Sequence, residues 1–350
     1  MPVDFIHNGA ASGEVGAILL ENGFNANALR PYIGKDGNSY ITQTVNGVSR
    51  AVRTNATATL RKDEWKALDL VLIEVARERL RAVGDLRAAG LTYVIPNGLG
   101  KTVLETETIG DINDASISMD PDRQGENDRP EYELSSLPLP VTHKDFSFSA
   151  RQIAVSRNTG VPLDMEMLKQ SARKVAESNE KLLLGTLDSY TYGGGTIYGY
   201  TNWTGRITYT LTSPATSGWT GADLLANLLA MRKESFDAMH YGPFQLYTSP
   251  DWDAYLDADY ATGYPKTLRS RILEVEGFSG MKTLDYLTDY DILMVQMTSD
   301  VIREVIGMDL TTVQWPSNGG MKLNFKVMDI LVPQLRADQN SNTGLVHGSV

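Results

Sequence analysis

The alternation of apolar and polar positions divides this chain into blocks of different period. From Lys62 to Gly90, KDEWKALDLVLIEVARERLRAVGDLRAAG sets Trp65, Leu68, Leu72, Val75, Leu80 and Val83 near helical spacing, which predicts one long amphipathic helix. Asp63 and Glu64 fall in its first turn, where the helix dipole favours acids, and Gly90 supplies a stop. Residues 91–151 switch to period two. TYVIPNGLGKTVLETET reads as two strand-like runs about a Pro-Asn-Gly turn. ASISM sets Ile117 and Met119 against serines, and DFSFSAR sets Phe146 and Phe148 against polar residues. Between them, DPDRQGENDRPE at 120–131 is almost wholly polar. The block predicts a long two-stranded β-arm with a solvated tip. A lone ribbon is marginal in water, so the arm calls for a neighbouring chain to brace it.

A second helix is predicted over Val161–Gly185, with Pro162 outside it, Asp164 as cap and Leu168, Ala172, Val175, Asn179 and Leu182 on one face. Thr220 opens a third, with Asp223 three residues on and Trp219 and Leu224 at the spacing of a hydrophobic staple. FQLYTS reads as a short strand. SPDWDAYLDADY reads as a fourth helix with Ser249 as cap and Pro250 in its first turn, and TLRSRILEV as a fifth. From Lys282 onward DILMVQM, SDVIREVIG, LTTVQW and MKLNFKVMDILVPQLR read as strands, followed by a polar tail, NSNTGLVHGSV. Residues 1–60 hold a weak helix around 13–22 and one short strand, ITQTV, too little apolar material for a core of their own. They read as an arm that lies on something else.

Composition narrows the function. With 42% hydrophobic and 21% charged residues the chain is foldable, and no uninterrupted apolar run approaches the length of a membrane span. The first twenty residues lack the basic start of a secretory signal. There is no cysteine, which excludes disulfides, thiolate zinc sites and a cysteine nucleophile together, and makes a reducing cytoplasm the simplest setting for folding. The net charge of −11 and the absence of a Lys/Arg run argue against sequence-reading contact with DNA, while permitting a container that must not stick to it.

The chemistry candidates are thin. YTYGGGTIYGYTN, 190–202, holds Gly193, Gly194, Gly195 and Gly199, but a helix precedes the glycines and no lysine follows in register. A turn in which glycines take positive φ therefore fits better than a phosphate cradle. His143 and Asp145 share a strand face, yet no GxSxG accompanies them. Asp251, Asp253, Asp257 and Asp259 lack the glycine and the twelfth-position glutamate of a calcium loop. The other histidines, His7, His240 and His347, are scattered. No catalytic, cofactor or metal site is expected. The charged tip Asp120, Asp122, Arg123, Glu126, Asp128, Arg129 and Glu131 reads as an intersubunit contact rim of paired charges.

The order of elements, with LRKDEWKALD at 60–69, LPLPVTHKDFSFSARQI at 137–153, ESNEKLLLG at 177–185, IYGYTN at 197–202 and the closing MKLNFKVMDILVPQLRADQNSNTGLVHG, resembles the major capsid proteins of tailed phages, the Hong-Kong-phage fold, and their relatives the encapsulins. The resemblance covers most of 60–350. It implies an α+β chain with an N-terminal arm (1–60), an N-terminal helix (61–90), an extended E-loop β-hairpin (91–150), a P-domain (151–218 and 301–333) with a spine helix at 163–185, and an A-domain (219–300 and 334–350). It implies no enzyme. The expected function is self-assembly into the hexamers and pentamers of an icosahedral shell, built in the host cytoplasm and carried in the virion, around double-stranded DNA held without sequence recognition. Portal and scaffold or decoration proteins are the implied partners, and no membrane is involved. An encapsulin-type compartment around cargo enzymes is the alternative. The roughly sixty residues ahead of the first strong helix fit the arm of a phage capsid better. The resemblance puts the glycine turn where the chain leaves the spine helix.

Overall fold

A computed structural model describes residues 30–350 apart from 46–47, 56–59, 97, 110–118, 120–128, 130–131, 160–164, 261–265 and 339–341. The expected helix around 13–22 lies outside the described residues. Strands β1 (Tyr32–Ile33), β2 (Ser39–Val45), β3 (Val48–Arg53) and β4 (Leu60–Arg61) lead into helices α1 (Lys62–Arg79) and α2 (Ala82–Ala88) and strand β5 (Thr92–Val94). Then come β6 (Val103–Ile109), β7 (Tyr132–Pro138), β8 (Thr142–Ser149), α3 (Ala150–Thr159) and α4 (Glu166–Leu184). The hairpin β9 (Tyr190–Tyr192) and β10 (Gly195–Ile197) precedes β11 (Ile207–Thr210), α5 (Gly221–Asp237), β12 (Phe244–Thr248), α6 (Asp253–Leu256) and α7 (Leu268–Leu273). Strands β13 (Phe278–Thr283), β14 (Ile292–Gln296), β15 (Ile302–Ser317), β16 (Lys322–Leu335) and β17 (Leu345–Ser349) close the chain. No helix among the described residues is long and apolar enough to cross a membrane.

Two compact units result. One takes the described residues of 1–102, 139–183 and 304–333; the other takes those of 103–138, 184–303 and 334–350. In the first unit α1 and α4 cover a sheet of order β5-β15-β16-β8. The α1 stripe is buried as its spacing predicts: Trp65, Leu68, Leu72 and Val75 are all 5% exposed or less. The long helix, however, is broken at Leu80–Arg81. At 100° per residue, the five steps from Val75 to Leu80 would carry the stripe about 140° round an unbroken helix, out of phase with the core. The break restores the phase, so Leu80, Val83 and Leu86 are buried as well. It leaves the first N–H groups of α2 needing partners, and the Glu180 carboxylate of α4 accepts from Ala82 (2.7 Å) and Val83 (3.3 Å).

Period two placed Phe146 and Phe148 in the projecting arm. They lie instead on β8, which pairs antiparallel with β16, Phe146 opposite Phe325 and Phe148 opposite Leu323. Burying three aromatic rings against α1 outweighs anything an exposed ribbon offers them. The runs SDVIREVIG and LTTVQW form the single strand β15, and β5 joins it in parallel, so the two runs about Pro-Asn-Gly do not pair with each other.

The N-terminal segment joins this unit through Arg30. Its guanidinium stacks over Trp65 at 4.2 Å and pairs with Asp69 at 2.6 Å, both charges buried, while Trp65 Nε1 donates to the Pro31 carbonyl. Burial weakens the proton hold of Arg30 and raises the Asp69 carboxyl, and the pairing of the two opposes both shifts.

The second unit is built on a five-stranded sheet of order β11-β17-β14-β12-β13, packed by α5, α6 and α7. α5 opens as predicted at Thr220, whose backbone N–H donates to Asp223 Oδ2 at 2.7 Å. Ser249 is fully buried and its side chain caps nothing; Pro250–Trp252 is a 3-10 turn before the short α6. The polar tail is a correction. Leu345 and Val346 are fully buried, and β17 lies between β11 and β14. Replacing Asp69 with Ala leaves a buried unpaired guanidinium and is expected to cost about 3–5 kcal/mol. Arg30→Met added to it should recover part of that loss, as checked by chemical denaturation of the single and double variants.

Candidate intersubunit surface

β6 and β7 form a two-stranded antiparallel ribbon, Val103 opposite Pro138 at the base and Ile109 opposite Tyr132 toward the tip. The base is buried at Leu104, Leu137 and Pro138. Away from it the ribbon loses its cover: Leu134 is 58% and Tyr132 65% exposed, two residues apart and hence on one strand face. Of the tip residues expected to make a contact rim, Asp120, Asp122, Arg123, Glu126, Asp128 and Glu131 lie outside the described residues, and Arg129 is exposed.

The glycine stretch is seated against the ribbon base. Gly193 and Gly194, at φ 59° and 81°, make the two-residue turn of the β9–β10 hairpin, in which Tyr192 pairs with Gly195. Two positive φ values in a two-residue loop match the twist of the flanking strands. A Cβ on Gly195 would fall on the Ser136 carbonyl of β7, so glycine lets the hairpin touch the ribbon backbone. Gly194 has open space around it. Gly199 donates its N–H to Asn202 Oδ1 at 2.7 Å. Thr201 folds back so that its N–H and its hydroxyl both donate to the Leu184 carbonyl, closing the C-terminus of α4 where Gly185 takes φ 82°. The tyrosines divide: Tyr200 is fully buried and stacks on Tyr247, whereas Tyr190 and Tyr192 of β9 stand about half exposed.

The other candidates serve local structure. His143 and Asp145 are exposed on β8, and Asp145 faces Lys326 at 3.6 Å. Asp253 and Asp257 share the Arg269 guanidinium, and Asp253 also accepts from the Thr283 hydroxyl. His240 lies 3.7 Å from Asp300. Among the described residues no group of three or more His, Asp or Glu could hold a metal ion.

Charge is divided unevenly. The first unit's segments carry 21 Lys and Arg against 18 Asp and Glu, a net +3; the second unit's carry 11 against 25, a net −14; the two make up the −11 of the chain. Residues 103–138, the ribbon and its tip, hold ten acids and two arginines. Whole-chain composition concealed this split, and counting by segment would have found it.

Solved structures of similar architecture include a phage capsid and a virus-like particle. The chain matches a virus-like particle from Pyrococcus furiosus at a TM-score of 0.57 and 17% identity over 81% of this chain and 98% of that one. It matches the capsid of Myoviridae phage XM1 at 0.59 and 10% identity, over 75% and 91%. For a structure from Mycobacterium phage Bobi the values are 0.56 and 12%, over 75% and 89%. The fold is that of the tailed-phage major capsid proteins. By sequence, residues 55–348 match the family of unknown function DUF6260, and the chain belongs to that family. A search of curated protein sequences found no match.

Gly194→Val meets no atoms and should cost about 1–2 kcal/mol through its backbone conformation, whereas Gly195→Val must displace the Ser136 carbonyl. Thermal melting should separate the two variants, and limited proteolysis should cut the ribbon base in Gly195→Val alone.

Proposed function

We propose that this chain is a phage major capsid protein that closes, as hexamers and pentamers, into an icosahedral shell around packaged double-stranded DNA. The observation that carries this reading is the β6–β7 ribbon, which exposes Tyr132 and Leu134 in a chain whose fold matches that of a phage capsid. A ribbon of that length has no hydrophobic face of its own to close upon, and a neighbouring copy supplies one. In this reading the ribbon is the E-loop, α4 is the spine of the P-domain, and the α5–β14 region is the A-domain. The E-loop tip of one copy, with its five acids at Asp120, Asp122, Glu126, Asp128 and Glu131, lies on a neighbour.

The charge division supports the same reading. Ribbons with ten acids repel one another, and the chain's surplus of positive charge lies in the first unit, so like copies associate ribbon to body rather than ribbon to ribbon. A chain of net −11 also does not hold DNA to its wall, and genome enclosure needs no base-reading group. Portal, scaffold and decoration proteins belong to this reading as partners, and the virion as its location.

A second reading, a compartment of the encapsulin type, is favoured by the near-complete span of the Pyrococcus furiosus particle subunit. Electron microscopy of the expressed chain decides. Shells or capsomers are expected. Uniform small particles carrying a protein cargo would support the compartment, and a monomer at high concentration and physiological salt would overturn both. Tyr132→Asp with Leu134→Asp should abolish particles while leaving the circular dichroism and melting of the subunit unchanged; normal particles from that variant would remove the ribbon from the interface.

A further inference from the structure

One cluster of ionisable groups lies inside the first unit, apart from the ribbon. Glu180 of α4, 2% exposed, spans the break between α1 and α2 through the two N–H bonds of Ala82 and Val83. Beside it on α4, Asn179 donates through Nδ2 to Asp329 Oδ2 of β16 at 2.6 Å, and both residues are buried. Arg87 of α2 reaches Glu304 at 2.9 Å and Asp309 at 3.2 Å, both on β15. Three carboxyl groups from β15 and β16 thus gather about the Arg87 guanidinium, and Glu180 of α4 adjoins them, within the field of Glu304 and of Asp85 of α2. Fully ionised, this cluster carries more negative charge than Arg87 balances, in surroundings that screen it poorly.

We propose that this junction of α2, α4, β15 and β16 is a proton-operated lock, firm while the carboxyl cluster holds protons and loosened as they leave.

The energetics agree in sign. Burial pushes Glu180 up to about 7, the repulsion of Asp85 and Glu304 adding to it, against the opposing pull of the two N–H donors. Burial drives Asp329 well above the usual carboxylate range despite its bond to Asn179 and the nearby Arg87, and it raises Glu304 and Asp309 against the pull of Arg87. A carboxyl whose folded value lies above its unfolded one contributes stability that is complete at acid pH and is lost as pH rises through the folded value. For Glu180 that window runs from the ordinary carboxylate range to about pH 7, so the lock operates near neutrality. Its mechanical outlet is the α1–α2 break, where Glu180 holds the start of α2.

The test uses the full chain at constant salt. Between pH 8 and pH 6 the melting midpoint of the wild type should rise by roughly 3–5 °C. Exchange of the Ala82 and Val83 amide protons, corrected for the intrinsic effect of pH, should slow over the same interval. Glu180→Gln, which keeps one acceptor and cannot ionise, should melt higher than the wild type at pH 8 and lose most of the slope. Asp329→Asn should lower the slope independently. A wild-type slope retained in both variants would overturn the proposal. If neither variant folds, infrared difference spectra of the wild type decide: a buried protonated carboxylic acid band present at pH 6 and lost by pH 8 supports the lock, and its absence at pH 6 refutes it.

Discussion

The first unit depends on one buried ring. Phe325, fully buried on β16, stacks on Phe146 at 5.0 Å and 10° and meets Phe148 and Trp65 edge-on at 5.8 and 6.1 Å. Those partners come from β8 and α1, so a single contact ties together segments from the first fifth, the middle and the last tenth of the chain. Aromatic pairs of this kind contribute about 0.5–1.5 kcal/mol each beyond the area they bury. Trp65 then carries the arrangement outward: its other face receives Arg30, and its indole N–H holds Pro31. The anchoring of the N-terminal segment is therefore an extension of the core.

What could be read from the sequence follows from which interactions are local. Helices α1, α4 and α5 were legible because each carries its own apolar stripe and a signal at its start. The stop at Leu80 was not, because the partner that makes it tolerable, Glu180, lies 98 positions beyond the Ala82 N–H that it holds. The glycine turn was legible in kind, since positive φ is a property of the residue. That Gly195 abuts the Ser136 carbonyl required knowing which strand passes beside it. Strand β8 shows the limit of periodicity. Alternation established that Phe146 and Phe148 share a face, but it does not say which sheet that face joins. As for the candidate surface, the expectation of a neighbour for the ribbon came from its polarity, while the exposed Tyr132 and Leu134 emerged only once the strand pairing was known.

The two kinds of polar investment in this molecule sit in different places. Acidic charge is concentrated in the second unit's segments, in residues 103–138 above all. In the first unit acids are fewer but deeper, shared among α2, α4, β15 and β16 at the cost of desolvation. Under the proposed function the surface arrangement suits reversible recognition between copies, and under the proposed lock the buried one couples the packing of each copy to pH.

Strand β17 has a temporal meaning as well. Val346 and His347 pair in parallel with Ile207 and Thr208 on one side and antiparallel with Met294 and Leu293 on the other. On a ribosome, β11, β12 and β14 emerge well before the strand that must lie between two of them. The second unit therefore stays open, with β14 presenting an unpaired edge, until synthesis has passed residue 349. A copy cut short before β17 keeps that edge open to pairing with another extended chain.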